Sequence, residues 1–183
     1  MQALIVIDAQ NEFSADGERP VPGHAGILDT ILHYVRQART NGQPIAWVRH
    51  HNRPNESPAF VPNTWGAEFS PGCGPQPTAF NEKEFQKNVY GAFTGTNLGD
   101  WLSAQNADAI LLTGFYTHGC VSTTAREAIM AQLDVTLAGD ATGACDMTHP
   151  TLGTLTAAEV RRSALIQLAN MGATIISSSS SGK

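Results

Sequence analysis

Short apolar runs alternate with longer segments of helical periodicity along most of the chain. The first run, residues 3–7, is rich in Ile and Val and has no polar position, which indicates a strand covered on both faces. In residues 27–41 the apolar side chains then recur at the spacing of one helix face. Because parallel strands need helical crossovers between them, this alternation predicts a doubly wound α/β fold. We expect a mainly parallel sheet of about five or six strands with helices on both faces.

The other elements follow from the same reasoning. Further strands are predicted at residues 44–48, 85–90, 109–113, 135–138 and 173–176, and further helices at residues 97–105, 120–133 and 157–171. Residues 52–77 contain most of the prolines, which predicts a long functional loop. We expect residues 1–176 to form a single domain and the serine-rich tail, residues 177–183, to be disordered.

The charge and the cysteine content exclude several classes of partner. The net charge is -5 and the 11 Lys and Arg residues are dispersed, so the chain lacks a surface for nucleic acid. No apolar run reaches the roughly 20 residues of a membrane-spanning helix, and the first residues lack the basic region of a signal peptide. We therefore expect a cytoplasmic protein with no nucleic-acid or membrane partner. Three cysteines without CxxC spacing argue against a disulfide framework and a thiolate zinc site.

Several polar residues are expected to meet at one edge of the sheet. In a doubly wound sheet ligands bind outside the carboxyl ends of the strands, which here carry Asp8, residues 49–51, residues 114–120 and Asp140. Asp8 ends an apolar strand, where its carboxylate would be partly desolvated and able to take a proton; the alternative is a turn or cap residue. Lys87 lies in a segment of alternating character and could face the same crevice or be a surface charge.

Cys120 is the candidate nucleophile. It follows a predicted strand and opens the next helix, where free backbone amides and the helix dipole stabilise an anion. There the pKa of a thiol falls from about 8.5 toward roughly 3.5 to 7.5, which predicts a thiolate at neutral pH. The alternative is a small apolar core residue. Cys73 and Cys145 have no comparable setting, and we interpret both as incidental.

Three motifs, in order along the chain, resemble the isochorismatase-like cysteine hydrolases. They are residues 8–13 (Asp-Ala-Gln-Asn-Glu-Phe), Lys87 followed by residues 91–98 (Gly-Ala-Phe-Thr-Gly-Thr-Asn-Leu), and Gly114-x-x-Thr117-x-x-Cys120-Val121. The resemblance covers nearly the whole chain and includes residues 140–142. That superfamily contains nicotinamidases, N-carbamoylsarcosine amidases and ureidoacrylate amidases. The resemblance implies a hydrolase that cleaves an amide or carbamoyl carbon–nitrogen bond of a small molecule.

The resemblance also implies roles for individual residues. Asp8, Lys87 and Cys120 would form the catalytic triad, and the peptide bond between Phe115 and Tyr116 would be cis. The backbone amides of Tyr116 and Cys120 would form the oxyanion hole. In the implied reaction Asp8 takes the thiol proton, Cys120 attacks a carbonyl carbon, and water hydrolyses the thioester.

Four ring-bearing residues are candidates for substrate binding. Phe13 belongs to the first motif, Trp65 to the long loop, and Tyr116 and His118 to the segment before the nucleophile. Phe13, Trp65 and Tyr116 could instead be ordinary packing residues. His118 could equally point toward solvent or a second subunit.

The stretch after the second predicted strand departs from the metal-binding members of the family. Nicotinamidases bind a metal there through an Asp-x-His pair, together with further histidines, whereas this chain has Arg49-His50-His51. A cation in place of the carboxylate disfavours a metal, although His51 remains. We predict no metal and no other cofactor, and we expect that nicotinamide is not the substrate. Arg49 and Arg53 could bind a substrate carboxylate or lie on the surface.

Two other functions stay open at this point. One is a vinyl-ether or ester hydrolase on the same fold, although true isochorismatases are described as lacking the cysteine nucleophile. The other is a ligand-binding or redox-responsive thiol protein without turnover. Members of the superfamily usually assemble, so we expect a homo-oligomer, a dimer or tetramer. The apolar stretch at residues 115–125 would suit burial near a subunit contact.

Overall fold

Strands and helices alternate as the sequence predicts. The computed structural model describes residues 1–178. The strands are β1 (Gln2–Ile7), β2 (Ile45–His50), β3 (Glu82–Lys87), β4 (Ala109–Phe115), β5 (Asp134–Gly143), β6 (Met147–His149), β7 (Gly153–Leu155) and β8 (Thr174–Ile176). The helices are α1 (His24–Thr40), α2 (Leu98–Ala104), α3 (Ser122–Met130) and α4 (Ala157–Asn170). A six-stranded, wholly parallel sheet in the order β3-β2-β1-β4-β5-β8 confirms the predicted doubly wound fold.

Helices cover both faces of the sheet. Helix α1 packs on one face, where its Ile31 and Val35 are buried with Leu4 and Val6 of β1. Helices α2, α3 and α4 pack on the other face, where buried side chains from all three belong to the same apolar cluster as Ile5 of β1. Strand β1 is therefore covered on both sides, which explains the uninterrupted apolar sequence of residues 3–7. Within the described part of the chain, no helix combines the length and apolar character needed to cross a bilayer.

Some boundaries differ from the sequence-based predictions. Strands β6 and β7 form a short antiparallel hairpin that the sequence does not reveal, because both strands are exposed and lack an apolar run. Strand β5 continues to Gly143, so Asp140 lies within it rather than after it. The Asp140 carboxylate accepts hydrogen bonds from the backbone and hydroxyl of Ser178. Ser178 belongs to the tail predicted to be disordered, and the rest of that tail, from residue 179, lies outside the described residues.

The apolar stretch at residues 115–125 is buried by the chain itself. Phe115, Thr117, Val121 and Ala125 are each 0% exposed, and the three apolar ones belong to the two apolar clusters that form the core. Their composition is therefore explained by the core of the domain. A subunit contact is not needed to account for it.

Gly114 allows β4 to approach β1 closely at the edge where the candidate site begins. Its φ is +116°, a conformation that L side chains rarely adopt, and a Cβ there would overlap the carbonyl oxygen of Ile7. Gly114 and Ile7 are register partners in the sheet, so the close approach falls one residue before Asp8.

We expect Gly114→Ala to lower the free energy of unfolding by about 3 kcal/mol or more, because it adds backbone strain and a steric overlap in the core. Gly26→Ala is the matched control: Gly26 lies in α1, and a Cβ there meets nothing within 4 Å. This control should raise stability by up to about 1 kcal/mol, the gain in helix propensity. Denaturant unfolding followed by circular dichroism measures both values. Wild-type stability in Gly114→Ala would contradict the close approach.

Candidate active site

Side chains from the carboxyl ends of neighbouring strands meet at one point. Asp8 follows β1, His50 and Lys87 are the last residues of β2 and β3, and Cys120 lies shortly after β4. Strands β1 and β4 are adjacent at the position where the strand order reverses, which is the usual ligand position in such a sheet. Asp8 has a φ of +50°, a left-handed conformation that Asp tolerates and that turns the chain away from the strand.

The Lys87 ammonium contacts the other three side chains. Its Nζ lies 2.8 Å from Oδ2 of Asp8, 3.2 Å from Sγ of Cys120 and 3.1 Å from Nδ1 of His50. Asp8, Lys87 and Cys120 are only 1%, 5% and 8% exposed. The buried carboxylate and ammonium compensate each other's charge. The structure thus brings together the acid, amine and thiol that the sequence singles out, and it adds a histidine.

Burial and pairing set the protonation states of this cluster. Burial opposes the charge on Lys87, but the Asp8 carboxylate first, and then the hydrogen bonds to Asp8 and Cys120, raise its pKa above the usual value and keep it an ammonium. Burial, and next the Asp8 carboxylate, raise the pKa of the Cys120 thiol, against the lowering effect of Lys87. The prediction of a resting thiolate is therefore wrong. Cys120 does not open α3 but lies deep in a π-helical turn, Thr117–Val121, that precedes it.

The loop after β1 holds β2 and the proline-rich loop in place. The fully buried side chain of Gln10 accepts a hydrogen bond from the backbone N–H of His50 and donates to the carbonyls of His50 and Ala67, at 2.8–2.9 Å. Glu12, also buried, accepts from the backbone N–H of Phe60 at 2.9 Å. Side chains two and four residues after Asp8 therefore fix the end of β2 and the proline-rich loop, which border the site.

Helix α3 fixes the loop that follows Lys87. The Glu127 carboxylate accepts hydrogen bonds from the backbone N–H groups of Phe93 and Thr94, at 3.0 and 3.2 Å. It also lies against Gly91, where a Cβ would overlap it. The helix that follows the thiol thus also anchors the chain that carries the amine.

A cavity of about 800 Å³ opens above Cys120. The predicted residues Phe13, Tyr116 and His118 line it. The peptide bond between Phe115 and Tyr116 is cis. The Tyr116 ring stacks on His118 at 5.0 Å and meets the edge of Phe13 at 4.9 Å, so the three rings form a continuous aromatic wall.

Trp65 lies outside this cavity, contrary to the prediction. It is 51% exposed, and its contribution to the region is a carbonyl oxygen that accepts a hydrogen bond from the Asn11 side chain. Phe60, from the same loop, lines the cavity instead, because Glu12 holds its backbone at the wall. Cys145, interpreted from the sequence as incidental, also lines the cavity.

The residues after β2 do not fit a metal site of the nicotinamidase kind. The Arg49 guanidinium lies 3.2 Å from Glu84 and 4.2 Å from the Phe69 ring centroid, so a paired cation stands where a carboxylate ligand would be needed. His51 lines a separate, smaller cleft. Within residues 1–178, one group of possible ligand atoms lies within 4.8 Å of one another, from Asp8, His50 and Cys120. Lys87 supplies the cation among them, and the absence of a metal stays a prediction.

The chain is similar to known proteins of one family. The family model described as an isochorismatase domain matches residues 2–180. A secreted isochorismatase effector of Verticillium dahliae is 31% identical over 175 residues, which cover 96% of this chain and 87% of that protein. A nicotinamidase/pyrazinamidase of Mycobacterium tuberculosis is 30% identical over 150 residues, which cover 70% of this chain and 79% of that protein. The crystal structure of an isochorismatase from Pseudomonas putida aligns with a TM-score of 0.89 at 28% identity and covers 98% of this chain and 89% of that one.

Proposed function

The chain belongs to the isochorismatase family of hydrolases, and we propose that it is a cysteine-dependent member that cleaves an amide or carbamoyl carbon–nitrogen bond of a small molecule. The observation that carries this proposal is the buried Lys87 ammonium, which bridges the Asp8 carboxylate and the Cys120 thiol at 2.8 and 3.2 Å. Such a cluster stabilises a developing thiolate next to a proton acceptor, as a nucleophilic mechanism requires.

The first step transfers a proton as a bond forms. At rest the cluster contains the Asp8 carboxylate, the Lys87 ammonium and the Cys120 thiol. Oδ1 of Asp8 is buried and has no hydrogen-bond partner among the described residues, so it is free to take the thiol proton. As it does so, Sγ attacks the carbonyl carbon, and the charge that leaves Asp8 passes to the carbonyl oxygen. The backbone amides of Tyr116 and Cys120 would stabilise that oxyanion.

The next steps return the proton and release the acyl group. Protonated Asp8 donates to the leaving nitrogen, so ammonia or an amine departs and a thioester remains on Cys120. A water molecule then loses a proton to Asp8 and attacks the thioester. Collapse of this second intermediate releases a carboxylic or carbamic acid, and Asp8 returns the proton to sulfur. Lys87 remains an ammonium throughout and offsets each negative charge that forms beside it.

The cavity supports a small-molecule substrate with a planar or apolar part. Its aromatic wall suits such a group, and the exposed side chains of Arg19 and Arg53 stand at its rim as possible partners for an anion. The nicotinamidase similarity suggests an amide as the reacting group. The paired Arg49 argues against metal-assisted binding of nicotinamide itself.

The proposal predicts ammonia release from at least one member of a panel of small amides and N-carbamoyl compounds. A coupled glutamate dehydrogenase assay measures the release. Rapid acid quenching during turnover should trap a mass increase on the peptide that contains Cys120, equal to the acyl group of the substrate. Turnover of esters or vinyl ethers alone would favour the alternative hydrolase, and a modified thiol without product would favour a non-catalytic role.

We also propose a homo-oligomeric, cytoplasmic enzyme with no cofactor. The expectation of an oligomer comes from the assemblies that members of the superfamily usually form. It does not come from a surface identified on this chain. The Verticillium dahliae relative is described as secreted, so that similarity gives no support for a cytoplasmic location.

A further inference from the structure

His50 completes the set of contacts around the Lys87 ammonium. We propose that His50 is a positioning residue: its Nδ1 accepts one proton of that ammonium and so directs the other two at Asp8 and Cys120. The inference rests on the proposed function, because it assigns His50 to the same reaction. His50 would act through Lys87 and not on the substrate.

The first argument is the number of donors. A lysine ammonium has three N–H donors and no acceptor. Lys87 has one acceptor for each of them, at 2.8 Å on Asp8, 3.2 Å on Cys120 and 3.1 Å on His50. Its side chain is 0% exposed, so bulk water does not replace a missing partner. Without the histidine nitrogen, one buried N–H would lack an acceptor, and the ammonium would rotate or shift to find another.

The second argument is the tautomer of His50, which its neighbour Asn52 determines. The Asn52 Nδ2 donates to the carbonyl oxygen of Ala59 at 2.8 Å and to the hydroxyl of Ser57 at 2.7 Å. Because a carbonyl oxygen only accepts, Oδ1 of Asn52 must be the atom that faces Nε2 of His50, at 2.8 Å. Nε2 therefore carries the proton, and Nδ1 presents a lone pair to Lys87.

The third argument is that strand pairing and neighbouring side chains fix the position of the His50 ring beside Lys87. His50 and Lys87 are register partners on the parallel strands β2 and β3, so their side chains stand side by side. The Gln10 amide binds both the N–H and the carbonyl of His50. The Phe60 ring meets the imidazole edge to face at 5.2 Å and 79°. Burial, and next the positive charge of Lys87, lower the pKa of His50, in keeping with a neutral ring.

The test compares two substitutions at position 50. Asn places an amide oxygen near the position of Nδ1, whereas Leu offers no acceptor. Cys120 alkylation by iodoacetamide, quantified on its own peptide by mass spectrometry in substrate-free protein, reports its thiolate fraction. His50→Leu should slow alkylation by about 10-fold, because a thiolate that is less well stabilised has a thiol pKa about one unit higher. His50→Asn should restore the rate to within about 3-fold of wild type. His51→Leu is the control and should leave the rate unchanged.

Two results would overturn the inference. One is a wild-type alkylation rate in His50→Leu, and the other is an Asn variant as slow as the Leu variant. If both variants misfold, nitrogen-15 NMR of histidine-labelled wild-type protein decides, since the inference requires His50 to be the Nε2–H tautomer with an unprotonated Nδ1. An Nδ1–H or doubly protonated ring would contradict it. Neither readout uses a substrate, so failure to find amide hydrolysis would refute the proposed function and leave this test intact.

Discussion

Cys120→Ala is expected to abolish hydrolysis of whichever amide the enzyme cleaves, with kcat reduced by at least about 10⁴-fold, because it removes the thiol that contacts Lys87 beside Asp8. The fold should persist, since the alanine loses one buried atom and leaves the Asp8–Lys87 ion pair intact. The free energy of unfolding should change by about 1 kcal/mol or less. Steady-state kinetics together with denaturant unfolding checks both statements.

Cys73→Ala is the matched control for that experiment. Burial raises the pKa of the Cys73 thiol to about 12, and Cys73 does not line the cavity. Its loss should leave kcat within a few-fold of wild type. Retained turnover in Cys120→Ala would refute the assignment of the nucleophile, whatever the control shows.

Lys87→Met is expected to abolish activity and to lower the free energy of unfolding more than Cys120→Ala does. Asp8 is only 1% exposed, and the substitution leaves its carboxylate buried without a cation. Removal of one member of a buried ion pair costs about 3 to 5 kcal/mol. The double variant Asp8→Asn with Lys87→Met removes the stranded charge. It should therefore be more stable than Lys87→Met alone, although equally inactive.

A double-mutant cycle of unfolding free energies measures this coupling. Lys83→Met is the control on the same strand, because Lys83 is exposed and its ammonium only lies over the Phe85 ring at 5.2 Å. The free energy of unfolding of Lys83→Met should differ from that of wild type by no more than about 1 kcal/mol. If the effects of Asp8→Asn and Lys87→Met simply added, the two groups would not form a coupled buried pair.

The fold could be predicted from the sequence because its signals are local. The run at residues 3–7 is apolar because β1 is covered on both faces, and the helical period of residues 27–41 reflects the buried side of α1. Asp8 could be identified from its place at the end of β1. Lys87 and Cys120 needed the motif resemblance as well, since a single lysine or cysteine carries no such signal.

The sequence predicts residues 49–51 at this edge of the sheet but does not single out His50, because the choice between adjacent residues depends on which face of β2 each occupies. Alternation along the strand puts position 50 on the same face as the buried Val48, and this is the one local signal that could have identified it. The contact itself needs the pairing of β2 with β3, which depends on residues far apart in sequence.

The remaining errors have the same origin in tertiary structure. A helix N-terminus predicts a low thiol pKa, but depth and a neighbouring carboxylate reverse the shift at Cys120. Trp65 and Phe60 are aromatic residues of one loop, and Phe60 is the one that faces the cavity, with its backbone N–H bound by Glu12 and its ring against Phe13 and His50. Such contacts leave no periodic trace in the sequence.

Strand β3 lies at the edge of the sheet, so local opening of that edge affects the catalytic cluster. Among residues 1–178 this strand pairs with β2 alone, and its last residue is Lys87. Margins of sheets separate at a lower free-energy cost than central strands do. Each transient detachment of β3 withdraws the amine from the sulfur and the carboxylate, while β1 and β4 stay joined. The catalytic cluster is thus complete only while this edge strand is paired, so the reactivity of the thiol can be lost at a lower free-energy cost than unfolding of the domain.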